Sequence, residues 1–319
     1  MARANGRPGS AGWTPPVADQ AAGLRALLAG VSGPGPSPPA AEEAAGTAPA
    51  GLARVMAITS GKGGVGKTSL AVNLALALQQ MGTKVALVDA DMGMANVDIL
   101  MGLVPERHLG DLVEGRCTLD EAICAGPEGV VVLPGASGLW ELASIRGEPL
   151  QRLLQEIRRL DRLVDLVLVD TGAGIGEQVL TMLRATPEAV LVVTPEPTSL
   201  TDAYGLVKVL ARSGSLPRLH CVVNMHKSAH EATAAANRLR TVARRFLGIE
   251  ITPLGSVPFD PVVSRAVLDQ VPLLLRFPHS AAAGAVREIA GRLAQAPASQ
   301  RSRSGGLSGT LRRMLRGWA

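Results

Sequence analysis

Val55-Met56-Ala57-Ile58-Thr59-Ser60-Gly61-Lys62-Gly63-Gly64-Val65-Gly66-Lys67-Thr68-Ser69 opens with a short apolar run, breaks into glycines and ends in Lys-Thr. The run reads as a buried strand, and residues 67–81 behind it carry a helical pattern. Gly61 to Thr68 is a complete G-x-x-x-x-G-K-[ST] signature in strand–loop–helix context. Gly61, Gly63, Gly64, Val65 and Gly66 let backbone N–H groups converge on phosphate oxygens. Lys67 reaches the outer phosphates, Thr68 supplies a hydroxyl for Mg²⁺, and Ser69 continues into the helix whose N-terminal dipole favours anions.

The rest of the chain alternates in the same way. Strand-like runs at 55–59, 85–89, 130–133, 166–170, 189–194, 219–224 and 254–257 are separated by helical patterns at 67–81, 148–160, 176–185, 199–212 and 228–247, with a last helix at 280–293. Near-continuous apolar strands between helices predict an α/β three-layer sandwich. Its mostly parallel sheet has roughly seven to eight strands covered on both faces, and ligands sit beyond the carboxyl ends of the strands. Two of those ends carry acids. Val88-Asp89-Ala90-Asp91 closes the second strand, and Leu166-Val167-Leu168-Val169-Asp170 closes a later one before Thr171-Gly172-Ala173-Gly174. An apolar strand ending in Asp170 after a phosphate loop is a magnesium-holding pattern, and Gly174 allows a loop to close on the terminal phosphate.

Composition sets the limits. The chain has 319 residues, with 32 Lys+Arg against 27 Asp+Glu, a net charge of +5, and 47% hydrophobic residues. Five arginines and no acid lie between Gln295 and Ala319, which leaves residues 1–294 neutral with 27 bases and 27 acids. The surplus belongs to the tail, which argues against a body built to grip nucleic acid. Aromatic residues are 2%, too few for a base-stacking platform. No apolar run approaches the roughly 18 residues of a spanning helix, and no signal peptide is evident. Cys117, Cys124 and Cys221 show no metal spacing and read as buried, reduced cysteines.

The second lysine of the loop narrows the reading. Lys-Gly-Gly-Val-Gly-Lys-Thr from Lys62 to Thr68 resembles the deviant loop of the MinD/ParA (SIMIBI-class) ATPases. The resemblance implies an ATP- and Mg²⁺-dependent ATPase whose two subunits sandwich the nucleotides, with Lys62 acting across the dimer. By the same resemblance Asp91 orients the attacking water near Mg²⁺, Asp89 is a supporting acid, and the stretch from Met92 to Asp98, with Asn96, is the first switch. Asn224 hydrogen-bonds the adenine, and the loop Pro258-Phe259-Asp260 reads the same base through its backbone. Lys62, Lys67 and Asp91 are thus the candidate catalytic residues, and Thr68, Asp91 and Asp170 the candidate metal site.

Within that class several branches fall away. No cysteine follows Asp170 as cluster-bearing reductases require, and a single Tyr204 does not make the tyrosine cluster of the kinases. At the C-terminus Leu307, Leu311, Met314, Leu315 and Trp318 follow helical spacing, while Arg312, Arg313 and Arg316 point elsewhere. That is the recipe for an in-plane helix on anionic lipid, and two copies on a dimer would bind far better than one. Ser304-Gly305-Gly306 reads as a decoupling hinge.

At the other end Asp19-Gln20-Ala21, followed by Leu24-Arg25, is similar to the D-Q-A-x-x-L-R element of the flagellar-number regulators of the FlhG (YlxH, FleN-like) family. There it is a short helix that stimulates FlhF, a signal-recognition-particle-type GTPase. The resemblance implies a cytoplasmic ATPase peripheral to the inner face of the cytoplasmic membrane, with basal-body components among its partners and no nucleic acid. A MinD-type division-site selector and a ParA-type nucleoid-binding ATPase are the alternatives. The expected organisation is residues 1–18 disordered, 19–28 partner arm, 29–51 Pro/Gly-rich linker, 52–295 ATPase domain, 296–306 linker and 307–319 membrane-targeting helix.

Overall fold

The computed structural model describes residues 52–91, 96–135, 147–295 and 305–317. Asp19, Gln20, Leu24 and Arg25 of the arm, the 29–51 spacer, Trp318, and residues 92–95 of the first-switch stretch lie outside them.

Eight strands form one sheet: β1 (Arg54–Ser60), β2 (Val85–Ala90), β3 (Cys124–Ala125), β4 (Val131–Leu133), β5 (Leu166–Ala173), β6 (Glu188–Val193), β7 (Arg218–His226) and β8 (Ile251–Pro258). Their spatial order is β3-β4-β2-β5-β1-β6-β7-β8. Every pairing is parallel except β3–β4. The seven expected strands are present. The two-residue β3 is the addition, too short to leave a pattern in sequence.

Twelve helices occur among the described residues. The long ones are α1 (Lys67–Gln80), α5 (Gly147–Leu163), α6 (Glu177–Ala185), α7 (Pro197–Arg212), α8 (Ala229–Leu247), α11 (Ala281–Ala294) and α12 (Gly306–Gly317). Short ones fill the connections: α2 (Val97–Met101), α3 (Leu109–Val113), α4 (Leu119–Ala122), α9 (Pro261–Leu268) and α10 (Leu273–Arg276). Several starts are written in the sequence as caps. The Ser228 hydroxyl accepts from Glu231 N at 3.2 Å, the Ser280 hydroxyl from Ala283 N at 3.1 Å, and the Asp260 carboxylate from Val262 N at 3.2 Å.

Side-chain alternation along the strands divides the core. Met56 and Ile58 of β1, with Val190 and Val192 of β6, face α1 and α11. Ala57, Ala189, Leu191 and Val193 face α6, α7 and α8. Both faces are covered, so β1 and β6 are apolar at successive positions rather than at alternate ones. The cysteines are all free, but only Cys221 is buried; Cys124, on the edge strand β3, and Cys117, between α3 and α4, are half-buried.

The tail departs from expectation. The helix begins at Gly306 and is not decoupled: it packs across α5, α6 and β1. Leu307, Leu311, Met314 and Leu315 are buried against the domain, and Arg312 and Arg316 are exposed. The apolar stripe is as the spacing predicted, but it is spent on the protein's own surface. The hinge reading fails for a physical reason. Gly306, at φ 68°, lies so close to the Asp161 carboxylate of α5 that a Cβ there would sit 2.4 Å from it. The glycine serves close approach rather than freedom.

At the amino ends of the central strands lies a buried charge cluster. Arg54 Nε and Nη2 donate to the two Glu188 oxygens at 2.9 and 2.7 Å, and Nη1 donates to Leu293 O at 3.0 Å. His220 Nε2 is 3.3 Å from Glu188 Oε2. Burial alone would raise the Glu188 carboxyl, but bonding from His220 and Arg54 and the Arg54 charge outweigh it, and it falls to about 2. A carboxylate depressed in the folded state adds stability above its unfolded value and loses it as pH falls towards the folded one. Glu188→Gln is therefore expected to lower unfolding free energy at pH 7 by about 3 kcal/mol. The gap to the parent should close between pH 4.5 and 2, as read by urea midpoints at each pH. A gap constant across that window would contradict the assignment.

Candidate functional site

The carboxyl ends of β1, β2 and β5 meet where the sheet order reverses, with β5 between β2 and β1 and β6 on the far side of β1. The loop after β1 is shaped by its glycines. A Cβ on Gly61 would sit 2.4 Å from the Asp202 backbone of α7. Gly66 has φ 82° and faces the Asn224 amide at the same closeness. The Ser60 hydroxyl donates to Lys62 O at 2.9 Å and tightens the turn. Gly63 and Gly64 face open space, so their backbone remains accessible to a phosphate.

Lys67 opens α1 and is buried. Its ammonium donates to Asp170 Oδ1 at 2.8 Å and to the Thr68 hydroxyl at 3.3 Å, and lies 3.9 Å from Asp91 Oδ2. Lys67, Thr68, Asp91 and Asp170 thus come together at one point. Burial raises the Asp170 carboxyl, with the Lys67 charge opposing that rise. Asp170 Oδ2 is buried with no hydrogen-bond partner. An orphaned carboxylate oxygen beside a threonine hydroxyl and a second carboxylate is a hard oxygen donor set that suits Mg²⁺.

Asp89 does different work. Its carboxylate accepts from Asp91 N at 3.0 Å, Asn96 N at 3.0 Å and Val97 N at 3.2 Å. It ties the N–H groups of these three residues to the end of β2. Burial pushes it up to about 6 against those N–H groups. Asn96 is the N-cap residue of α2. Directly after β5, Gly174 takes φ 91° and donates its N–H to Ser60 O at 2.8 Å, which pins that turn to the end of β1.

Beside the phosphate loop lies a cavity of about 410 Å³ lined by Gly66, Ser69, Asn224, Pro258 and Asp260, with walls of Leu70, Met225, Phe259 and Val267. The expected residues are present, but two side chains are already engaged. Asn224 Nδ2 donates to Val65 O at 2.8 Å and Oδ1 accepts from Met225 N at 3.0 Å, so one N–H and one lone pair remain for a base. Asp260 caps α9 with one carboxylate oxygen, and the other accepts from Ala282 N at 3.4 Å. The apolar wall has no signature in sequence; the structure brings Met225 into it at φ 60°, beside Asn224.

The Lys62 side chain is 39% exposed. Its ammonium pairs with Glu196 Oε2 at 3.0 Å and approaches the Thr198 hydroxyl at 3.3 Å. Within one chain it is therefore held by the start of α7 and not by the loop that it belongs to.

A family model described as ParA, NUBPL iron-transfer P-loop NTPase, matches residues 51–294. The antiactivator FleN of Pseudomonas aeruginosa is 43% identical over 239 residues, 74% of this chain and 85% of its own. The flagellum site-determining protein YlxH of Helicobacter pylori is 36% identical over 245 residues, 76% of this chain and 82% of its own. Among solved structures, the septum site-determining protein MinD of Pyrococcus horikoshii with Mg-ADP superposes with a TM-score of 0.63 at 28% identity, covering 78% of this chain and 99% of that one. A two-lysine phosphate loop, the converging acids and these likenesses have one explanation: the chain belongs to the ParA/MinD family of P-loop NTPases.

Proposed function

We propose that the chain is an ATP-driven dimerising switch that regulates flagellum number and placement from the membrane surface. The observation that carries it is the convergence of Lys67 on both Asp91 and Asp170 beneath a second loop lysine, in a chain 43% identical to FleN.

Backbone N–H groups of Gly63 to Gly66 bind and orient the phosphates. Lys67 exchanges Asp170 for phosphate oxygens, which frees Asp170 to face Mg²⁺ with Thr68. A Mg²⁺ held by Thr68 and Asp170 would supply neutralisation of charge on the phosphoryl oxygens. Asp91 orients water in line with the terminal phosphate. Lys62 leaves Glu196 and reaches the nucleotide of the second subunit, so hydrolysis belongs to the dimer. Asn224, Pro258 and Asp260 hold adenine against the apolar wall. Positioning and charge neutralisation carry such a reaction, so a slow intrinsic rate raised by a partner is expected.

Membrane attachment on this reading requires α12 to leave its seat, because its apolar face serves either the domain or lipid. The Asp19–Leu28 arm acts on an FlhF-type GTPase, and basal-body components are the further partners. A division-site role has support in the MinD likeness. A ParA-type role would require DNA rather than vesicles as the co-sedimenting partner.

Asp91→Ala is expected to lower turnover by about 100-fold or more and to accumulate an ATP dimer in light scattering. Lys62→Ala should remain monomeric with ATP; an ATP-bound monomer in both variants removes the sandwich. Deleting residues 305–319 should abolish ATP-dependent sedimentation with anionic vesicles. A peptide of residues 1–35 should accelerate GTP turnover by the cognate FlhF-type GTPase, and no acceleration favours a division-type selector.

A further inference from the structure

The lining of the cavity beside the phosphate loop changes with depth. Phe259 and Leu268 at its rim are 61% and 83% exposed, whereas Leu70, Asn73, Leu273 and Val286 are at most 4% exposed. The cavity therefore runs from Gly66 and Ser69 into the apolar core, to which Leu70, Leu273 and Val286 belong. Asn73 is the polar residue among these four, and both ends of its amide are engaged. Nδ2 donates to Ser69 O at 2.7 Å, and Oδ1 accepts from Leu274 N at 3.0 Å.

The outer wall is a light element. α9 lines the cavity with Val263, Ser264 and Val267, and Ala266 is its one buried residue. It is tied at its ends, by the Asp260 cap and by the Arg276–Asp269 ion pair at 2.8 Å that follows it. A second gap of about 10 Å³ lies where α1, α9 and α10 meet, lined by Ser69, Val72, Ala266 and Pro272 among others. The three helices interlock less closely here than a packed interior does. A volume of about 410 Å³ falls in the range of sites for drug-sized ligands. A purine base is the smaller part of such a ligand. With phosphates on the loop, the sugar stays at the loop end. The base edge remote from the sugar, N6 to C2 of adenine, then meets the apolar depth.

We infer that the base site takes adenine nucleotides enlarged by an apolar group at N6 or C2, and that Val263, Leu273 and Val286 set the size it accepts. This rests on the switch reading above, which puts the base here, and adds the class of nucleotide that fits. An apolar substituent buried against these side chains leaves water without stranding a polar group. A polar or charged substituent at the same place loses its water and gains no partner. The depth of the cavity thus selects by polarity, and its aliphatic walls by size.

The test is titration calorimetry of the full chain with Mg²⁺ and three diphosphates, so no turnover is involved. They are ADP, N6-benzyl-ADP and N6-carboxymethyl-ADP. The benzyl compound is expected to bind within about threefold of ADP or more tightly, and the carboxymethyl compound about 10-fold more weakly than ADP or worse. Val286→Phe and Val263→Phe each fill the chamber. Val286 lies in the core, whereas Val263 is half-buried on α9, so the second variant serves if the first folds poorly. Each variant should keep ADP within about threefold of the parent and lose the benzyl compound by about 10-fold or more. A benzyl compound more than about threefold weaker than ADP on the parent overturns the chamber alone. So does one that binds the folded variants as it binds the parent, because its ring then lies in solvent. A parent that does not bind ADP overturns the switch reading, and the chamber with it.

Discussion

The ion pair between Lys67 and Asp170 is the constraint around which the domain is arranged. Both groups are buried, and a charge buried without a partner costs several kcal/mol, so neither position is tolerable without the other. Their meeting requires β1 and β5 to be neighbours in one register. Ile58 pairs with Asp170, so the lysine that opens α1 comes back over the strand end that carries the carboxylate. That adjacency places β2 on the other side of β5 and β6 on the other side of β1, which opens the crevice at the strand ends. The pair also stands in for chemistry. The ammonium rests on a carboxylate at 2.8 Å in a position from which it can pass to a phosphate, and the other carboxylate oxygen is left without a partner. A site with one charge engaged and one acceptor orphaned is prepared for an anion and a cation together.

From that pair the two switch segments follow by hydrogen bonding rather than by packing. Asp89 gathers three N–H groups at the start of one segment, and Ser60 O takes the Gly174 N–H at the start of the other. Both anchors lie at the ends of strands that are buried along their length. Lys62 adds a third exchangeable contact, because its partner Glu196 is largely exposed and an exposed pair contributes at most about 1 kcal/mol.

Much of this was legible in residues. The phosphate loop carries its own geometry in its glycines, and the paired acids announce themselves by ending apolar strands. Caps such as Ser228 and Ser280 mark helix starts within one residue. What was hidden depends on contacts distant in sequence. Asp161 looks like a surface acid in the helical run before Asp165, yet it is fully buried because it caps a helix that begins 145 positions later at Gly306. The glycine pair before Leu307 reads locally as a hinge, and only the position of α5 makes Gly306 a fitting point. The apolar wall of the base cavity is invisible for a similar reason: Val267 and Phe259 belong to a short helix and a loop without periodicity. A stripe such as Leu307, Leu311, Met314 and Leu315 shows that a helix will bury one face, but not against what.

That ambiguity has mechanical value. The outward side of the docked helix still shows Arg312 and Arg316, so the basic surplus of the chain remains available to an anionic surface before any apolar contact is broken. On the proposed reading, approach and insertion are separate events with different physics. Approach is a screened charge attraction that falls with salt. Insertion requires the docked contacts to be given up: the Asp161 carboxylate accepting from Leu307 N and Ser308 N, Arg313 Nε donating to Ala185 O, and the buried side chains of Leu311 and Met314.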